Sequence, residues 1–306
     1  MLDWIKFFPY AARCDYNPSE VRGPYFSAPK KVRWRLGDSA LNFRAPRSNP
    51  IFSFSGLGRK VTRLSPGRKD VLKTRWQYLY LGRSGAPENK WVYQHIYQNI
   101  WYLVGPWFSG EQTHLSISAV LITADGGEQS GDEKSLFHPR AFEGAVANIL
   151  DAGYGYERNG TGKKAHYRGP LNWKVLPISS TVQGVVCDVH CIGNTSVENP
   201  VLLRQVYFPV SSNQLIRIKF EFGGTKIYLD KVCAPRLFEL CDSIINSLQL
   251  DVGETMLAEW NKVKESCPNM SITPTLGEFP WPLKLDKASK KQKEIDITPI
   301  QAKLAN

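Results

Sequence analysis

Cys187-Asp-Val-His190-Cys191 is the stretch of this 306-residue sequence that most invites chemistry, with two thiols, a carboxylate and an imidazole in five positions. Zinc takes such ligands, and requires four of them within about 2.3 Å of one point. The surrounding Val182–Ile192 reads as a strand. There Cys187 and Cys191 share a face but stand about 13 Å apart, and His190 points the other way. Core packing is the expected role of both cysteines, and no metal is expected. Gly160-Thr-Gly-Lys163-Lys164 suggests a phosphate loop, but that motif needs a glycine five positions before its Gly-Lys pair and a Ser or Thr after it. Glu157 and Lys164 occupy those positions, so the stretch reads as a flexible loop. Gly56-Leu-Gly58 lacks a third glycine and a following helix. The histidines at 95, 114, 138, 166 and 190 fall in no HExxH, HxH or HKD spacing, and Ser53 and Ser55 flank Phe54 without forming GxSxG. The motifs assign no catalytic residue and no cofactor. The expectation is a protein that binds rather than one that catalyses.

Charge says what kind of partner that would be. The net charge of +11 is one-sided: residues 1–90 hold 18 Lys/Arg against 6 Asp/Glu, and the rest of the chain holds 21 against 22. A localised basic field favours an acidic partner, whether nucleic acid, anionic lipid or an acidic protein surface. Arg33-Trp34-Arg35, Arg75-Trp76 and Lys90-Trp91 interleave cations with aromatics, as a groove for single-stranded nucleic acid would. They match no RNA-recognition signature, and sheet aromatics more often serve a core or a protein interface. The candidate contacts are Arg33, Arg35, Arg59 and Lys60 as steering cations, with Trp34, Trp76 and Trp107 as anchors. A protein partner is preferred, with nucleic acid as the alternative.

The elements that position these residues follow from periodicity. Trp34–Ala45 reads as a hairpin turning at Gly37-Asp38. Trp76, Tyr78 and Tyr80 alternate as in a strand. Trp91, Tyr93, His95, Tyr97, Asn99 and Trp101 line one face of a longer strand, with Val92, Ile96, Ile100 and Tyr102 on the other. Thr113–Thr123 is a third. The glycine-rich run 125–134 has no apolar residue and marks a domain boundary. Pro139 opens a helix to about Ala152, with Gly153 at its C-terminal cap. Strands follow at Trp173–Ile178, Val182–Ile192, Leu202–Phe208 and Leu215–Phe222, then helices at Pro235–Leu250 and Glu254–Ser266. The fold class is α+β: antiparallel sheets packed against a few helices, in two similar domains. Their expected limits are 1–125 and 135–267, followed by a Pro- and Lys-rich tail, 268–306, either disordered or draped over the body. Six cysteines without a CxxC pair read as free thiols. No stretch reaches the ~20 apolar residues of a membrane span. Trp4-Ile5-Lys6-Phe7-Phe8 followed by Pro9 lacks the features of a secretory signal, so a cytoplasmic protein is expected, or a periplasmic one if a leader was lost.

The second half carries a resemblance. Pro170-Leu-Asn-Trp173-Lys-Val leads into Val182–Cys191, then Val201–Phe208, Pro209-Val-Ser, Leu215–Phe222 and the helix containing Asp242-Ser-Ile-Ile245-Asn-Ser-Leu248. This order resembles bacterial immunity proteins that neutralise lipase and phospholipase effectors of the type VI secretion system, with a Mog1/PsbP/DcrB-like domain. It covers about 140–250 well and 30–125 loosely. The resemblance implies a non-enzymatic inhibitor, often of two similar domains, that blocks the cleft of a cognate toxin. It carries no individual residue over as an inhibitory contact.

Overall fold

Alternation with a period of two builds most of this protein. In Gln214–Gly223 the side chains of Ile216, Ile218, Phe220 and Phe222 are buried, and those of Arg217, Lys219 and Glu221 between them are half-exposed. One face therefore enters a core, and the other is only partly covered along these residues. The structure, a computed structural model, describes residues 20–24, 26, 28–47, 68–73, 79–80, 91–105, 111–124, 135–155, 167–192 and 200–281. Its strands are β1 (Lys30–Leu36), β2 (Ser39–Ala45), β3 (Leu79–Tyr80), β4 (Trp91–Val104), β5 (Glu111–Ala124), β6 (Tyr167–Pro177), β7 (Gln183–Cys191), β8 (Val201–Pro209), β9 (Gln214–Gly223) and β10 (Gln249–Asp251). Its helices are α1 (Pro139–Tyr154), α2 (Cys233–Ile245) and α3 (Glu254–Ser266). The class is α+β, as expected, with two antiparallel sheets. Among the described residues no helix is long and apolar enough to cross a membrane.

The expected division at 125–134 does not separate the strands. One sheet runs β3-β4-β5-β9-β8-β7-β6, and β5 pairs with β9 along ten residues, from His114↔Gly223 to Thr123↔Gln214. The physical reason lies in β5, where Leu115, Ile117, Ala119 and Leu121 are buried on one face and Val120 and Ile122 on the other. A strand that is apolar on both faces belongs in the middle of a sheet, with neighbours on each side. The small sheet, β1-β2-β10, crosses the supposed boundary as well, because Gln249–Asp251 pairs with Asn42–Ala40. Asp38 of the hairpin turn also caps α3, accepting the Thr255 N–H at 2.8 Å. A Cβ at Gly253 would run into that carboxylate, which is why a glycine stands before the helix. The segments 1–125 and 135–267 thus build shared sheets.

Each face of the large sheet carries a core. One joins Ile117, Ala119, Ile216, Ile218 and Phe220 to α2 through Leu237, Leu240, Ile244 and the following Leu248, and to the small sheet through Trp34, Leu41 and Phe43. The other holds α1, with Phe142, Val146, Ile149 and Leu150 against Val185, Cys187, Val189 and Tyr207.

Three local expectations change. The single aromatic face of β4 is broken by a bulge between His95 and Tyr97, where the register to β5 shifts. Trp91 and Tyr93 face the α1 core, whereas Tyr97 and Trp101 face the α2 core, because one inserted residue flips every later side chain. Helix α1 continues through Gly153 to Tyr154, with Gly155 as its cap. Helix α2 stops at Ile245 rather than Leu250. Ser247 Oγ bonds the Ile244 carbonyl at 2.7 Å and accepts the Arg44 N–H at 2.8 Å, turning the chain so that Leu250 pairs with Leu41 in β10. The part of the tail that is described is draped. Trp281 donates its indole N–H to Asp151 at 2.7 Å, Trp173 donates to the Thr273 carbonyl at 2.9 Å, and Arg168 forks onto Glu278 at 2.7 and 2.8 Å. These bonds strap 273–281 across α1 and β6. Residues 282–306 lie outside the described residues.

Candidate partner-binding surface

The sequence Lys30-Lys-Val-Arg-Trp-Arg-Leu36 alternates in β1, and the structure puts the two sets on opposite faces. Val32 is half-buried and Trp34 and Leu36 are buried, while Lys31, Arg33 and Arg35 are exposed. The turn at Gly37-Asp38, with φ 66° at Gly37, sets the register, since two-residue hairpins favour glycine at that first position. It brings Arg44 of β2 directly opposite Lys31, on the same exposed face. Like charges facing each other across a strand pair cost stability, so this arrangement is not what packing alone would select. Among the described residues no ion pair joins Lys31, Arg33, Arg35 or Arg44 to an acid; Arg35 Nε donates only to the Gly37 carbonyl, at 3.2 Å. The nearby carboxylate of Asp251 accepts a bond from Asn42 at 2.7 Å.

Of the residues singled out from the sequence, Arg33 and Arg35 therefore lie together on an open surface. Trp34 does not join them. It is fully buried, 5.1 Å ring to ring from Phe43 and 5.5 Å from Tyr97, because its position in the alternation is the inward one. It is a core residue and not a surface anchor. Trp91 of the basic-aromatic pairs is buried too. Arg59, Lys60, Trp76 and Trp107 lie outside the described residues, as do Ser53, Ser55, Gly56-Leu-Gly58 and the 160–164 loop. Lys31 and Arg44 complete the cation cluster and were not singled out. Lys31 was legible from the alternation itself. Arg44 was legible only through the register that the Gly37-Asp38 turn imposes.

Within the Cys187–Cys191 stretch, Cys187, Asp188 and His190 are buried. Cys187 is fully buried on the α1 face of β7, and Cys191 lies on the same face. His190 and Asp188 are on the opposite face, as the strand period requires. Burial pushes the Cys187 thiol far up, and it does the same to Cys241, so neither forms a thiolate near neutrality. Among the described residues, Cys187, Cys191, Cys233, Cys241 and Cys267 form no disulfide. Asp188, 1% exposed, accepts from Arg204 Nε at 2.9 Å and Nη2 at 3.3 Å and from Asn172 Nδ2 at 2.9 Å. Arg204 reaches on to Asp242 of α2 at 2.8 Å. His190 Nε2 meets the Tyr228 hydroxyl at 2.7 Å. This set bonds to itself, and among the described residues no three or more His, Cys, Asp or Glu converge to hold a metal ion.

Burial pulls the His190 imidazole down to about 4 from its ordinary 6.5; Asp188 and Glu278 oppose the shift and Arg168 adds to it. Between those two values the unfolded chain binds a proton at His190 that the folded chain refuses. The contribution is complete above the unfolded value and falls as pH drops from 6.5 toward 4, by about 3 kcal/mol in all. Urea unfolding of the wild type and of His190→Gln across that window checks it. The variant, which keeps a partner for Tyr228, is expected to lose most of this slope. Parallel curves would show His190 to be open to water. No protein-family model and no curated protein matches this chain.

Proposed function

We propose that this chain is a non-enzymatic binding protein, an immunity protein that inhibits an antibacterial lipase or phospholipase effector of a type VI secretion system. The observation that carries the binding role is the unneutralised group Lys31, Arg33, Arg35 and Arg44 on one exposed sheet face. The resemblance of 140–250 to such immunity proteins supplies the class of partner. The burial of Cys187, His190 and Asp188, with Asp188 paired to Arg204 and His190 to Tyr228, favours binding over catalysis. The burial of Trp34 and Trp91 removes two of the aromatics on which bases would stack, which favours an acidic protein over single-stranded nucleic acid. In this reading the protein works in the cytoplasm, against a toxin that reaches that compartment.

Co-expression with a candidate effector from the neighbouring genes is the test, scored by survival and co-purification. Protection and a stoichiometric complex are expected. Reversing Lys31, Arg33, Arg35 and Arg44 to glutamate is expected to slow association about tenfold or more at low salt and to flatten its salt dependence, with a smaller change in dissociation. Failure to protect, with no complex at micromolar concentration, ends the inhibitor reading.

A further inference from the structure

The same cations lie along an open backbone edge. In the small sheet β1 is an outer strand, with β2 on one side only. Its direction of hydrogen bonding can be read from both of its ends. The Arg35 carbonyl turns outward, accepting the Val71 N–H at 2.9 Å. Arg44, opposite Lys31, sends its N–H away from β1 to Ser247 Oγ at 2.8 Å. Antiparallel pairs alternate between bonded and non-bonded, so Lys31↔Arg44 and Arg35↔Ala40 are both non-bonded, and Arg33↔Asn42 between them is too. The N–H and C=O of Lys31 and Arg33 therefore point out of the sheet edge, and no backbone group of a described residue bonds to them. Among the described residues the only backbone pairing on that side is the bridge Arg35↔Asp70, at the turn end. The open stretch, Lys30–Trp34, carries exposed Lys30, Lys31 and Arg33.

We propose that this edge takes an acidic, extended segment of a protein partner as a fourth strand, beside Lys31 and Arg33. Backbone bonds to the outward groups give affinity, and carboxylates at every second position fall on the same face as Lys31, Arg33 and Arg44. Cations along an edge also repel a second copy of this chain. The same repulsion selects a strand of opposite charge. The proposal rests on the reading that the partner is a protein, and it adds how and with what chemistry that partner is held.

The test uses the full chain and a labelled eight-residue peptide alternating glutamate with valine, followed by fluorescence anisotropy. Alongside it go the same peptide N-methylated at alternate amides, and a single-stranded oligodeoxynucleotide. The parent peptide is expected to bind, and Lys31→Glu/Arg33→Glu to weaken it at least about tenfold. N-methylation, which removes the strand's donors, is expected to weaken it similarly. Arg33→Pro is expected to weaken binding several-fold beyond Arg33→Gln, since both remove the charge and only proline removes the outward N–H; edge positions of this kind accept proline. Thermal melts establish that each variant is folded. Three results overturn the proposal: no binding of the parent peptide at about 100 μM, equal binding of the methylated peptide, or tighter binding of the oligodeoxynucleotide with the same sensitivity to the variants. If the wild type fails to protect against the toxin while the peptide results stand, only the inhibitor reading falls. If Arg33→Pro protects as fully as the wild type, only the edge falls.

Discussion

Ile244→Asp is expected to leave no cooperatively folded protein at neutral pH. Ile244 is fully buried in the core where α2, the large sheet and the small sheet meet. Losing its side chain there costs roughly 2–5 kcal/mol even when the replacement is apolar and small. A carboxyl group in the same place finds none of its hydrogen bonds to water, and adds about 1–3 kcal/mol if neutral and more if charged. The total rivals the 5–15 kcal/mol by which typical domains are stable. Ile244→Val, costing about 0.5–1.5 kcal/mol, separates this effect from general sensitivity of the site. Far-ultraviolet circular dichroism with urea titration reads both variants. The consequences are expected to reach β1 and β2, because Trp34, Leu41 and Phe43 share the cluster with Ile244. A soluble Ile244→Asp protein with a sharp unfolding transition would mean that α2 does not face this core.

That core was legible from sequence because its elements are strongly periodic. Ile216, Ile218, Phe220 and Phe222 in β9, and Leu237, Leu240, Cys241 and Ile244 in α2, keep one period over their whole length. The limits of Glu254–Ser266 were legible as well. What periodicity could not reach was anything decided by pairing. The bulge at His95/Tyr97 leaves a sequence that still alternates, so the aromatics from Trp91 to Trp101 read as one face although they serve two cores. The β5–β9 pairing joins residues about a hundred positions apart, and no local signal announces it. Leu248 continues the helical stripe of Leu237, Leu240 and Ile244, yet the helix stops at Ile245 and Leu250 pairs along the edge of β2. The surface site was half legible for the same reason. Charge concentration pointed to Arg33 and Arg35, but whether Trp34 stood with them or behind them depended on which face the hairpin buries.

Asp188→Ala is expected to destabilise the protein by about 3–5 kcal/mol, because it leaves the Arg204 guanidinium buried with half its partners gone. The arginine side chain is 17% exposed and the Asp188 side chain only 2%. Asp242, its other partner, is 54% exposed and already hydrated, so it cannot replace the lost contact. Asn172, which also donates to Asp188, sits at the surface and turns to water at little cost. The combined variant Asp188→Leu/Arg204→Met removes both charges and keeps the volume, and is expected to fall within about 1 kcal/mol of the wild type. The double-mutant cycle, read by urea unfolding at pH 7, then gives a large coupling energy even though the pair adds little net stability. Such a result would identify Asp188 and Arg204 as a pair that fixes how β7, β8 and α2 meet. If instead Asp188→Ala alone cost less than about 1 kcal/mol, water would have to reach Arg204. The neighbouring His190–Tyr228 pair would then be an open site, and the binding-only reading of this face of β7 would fail.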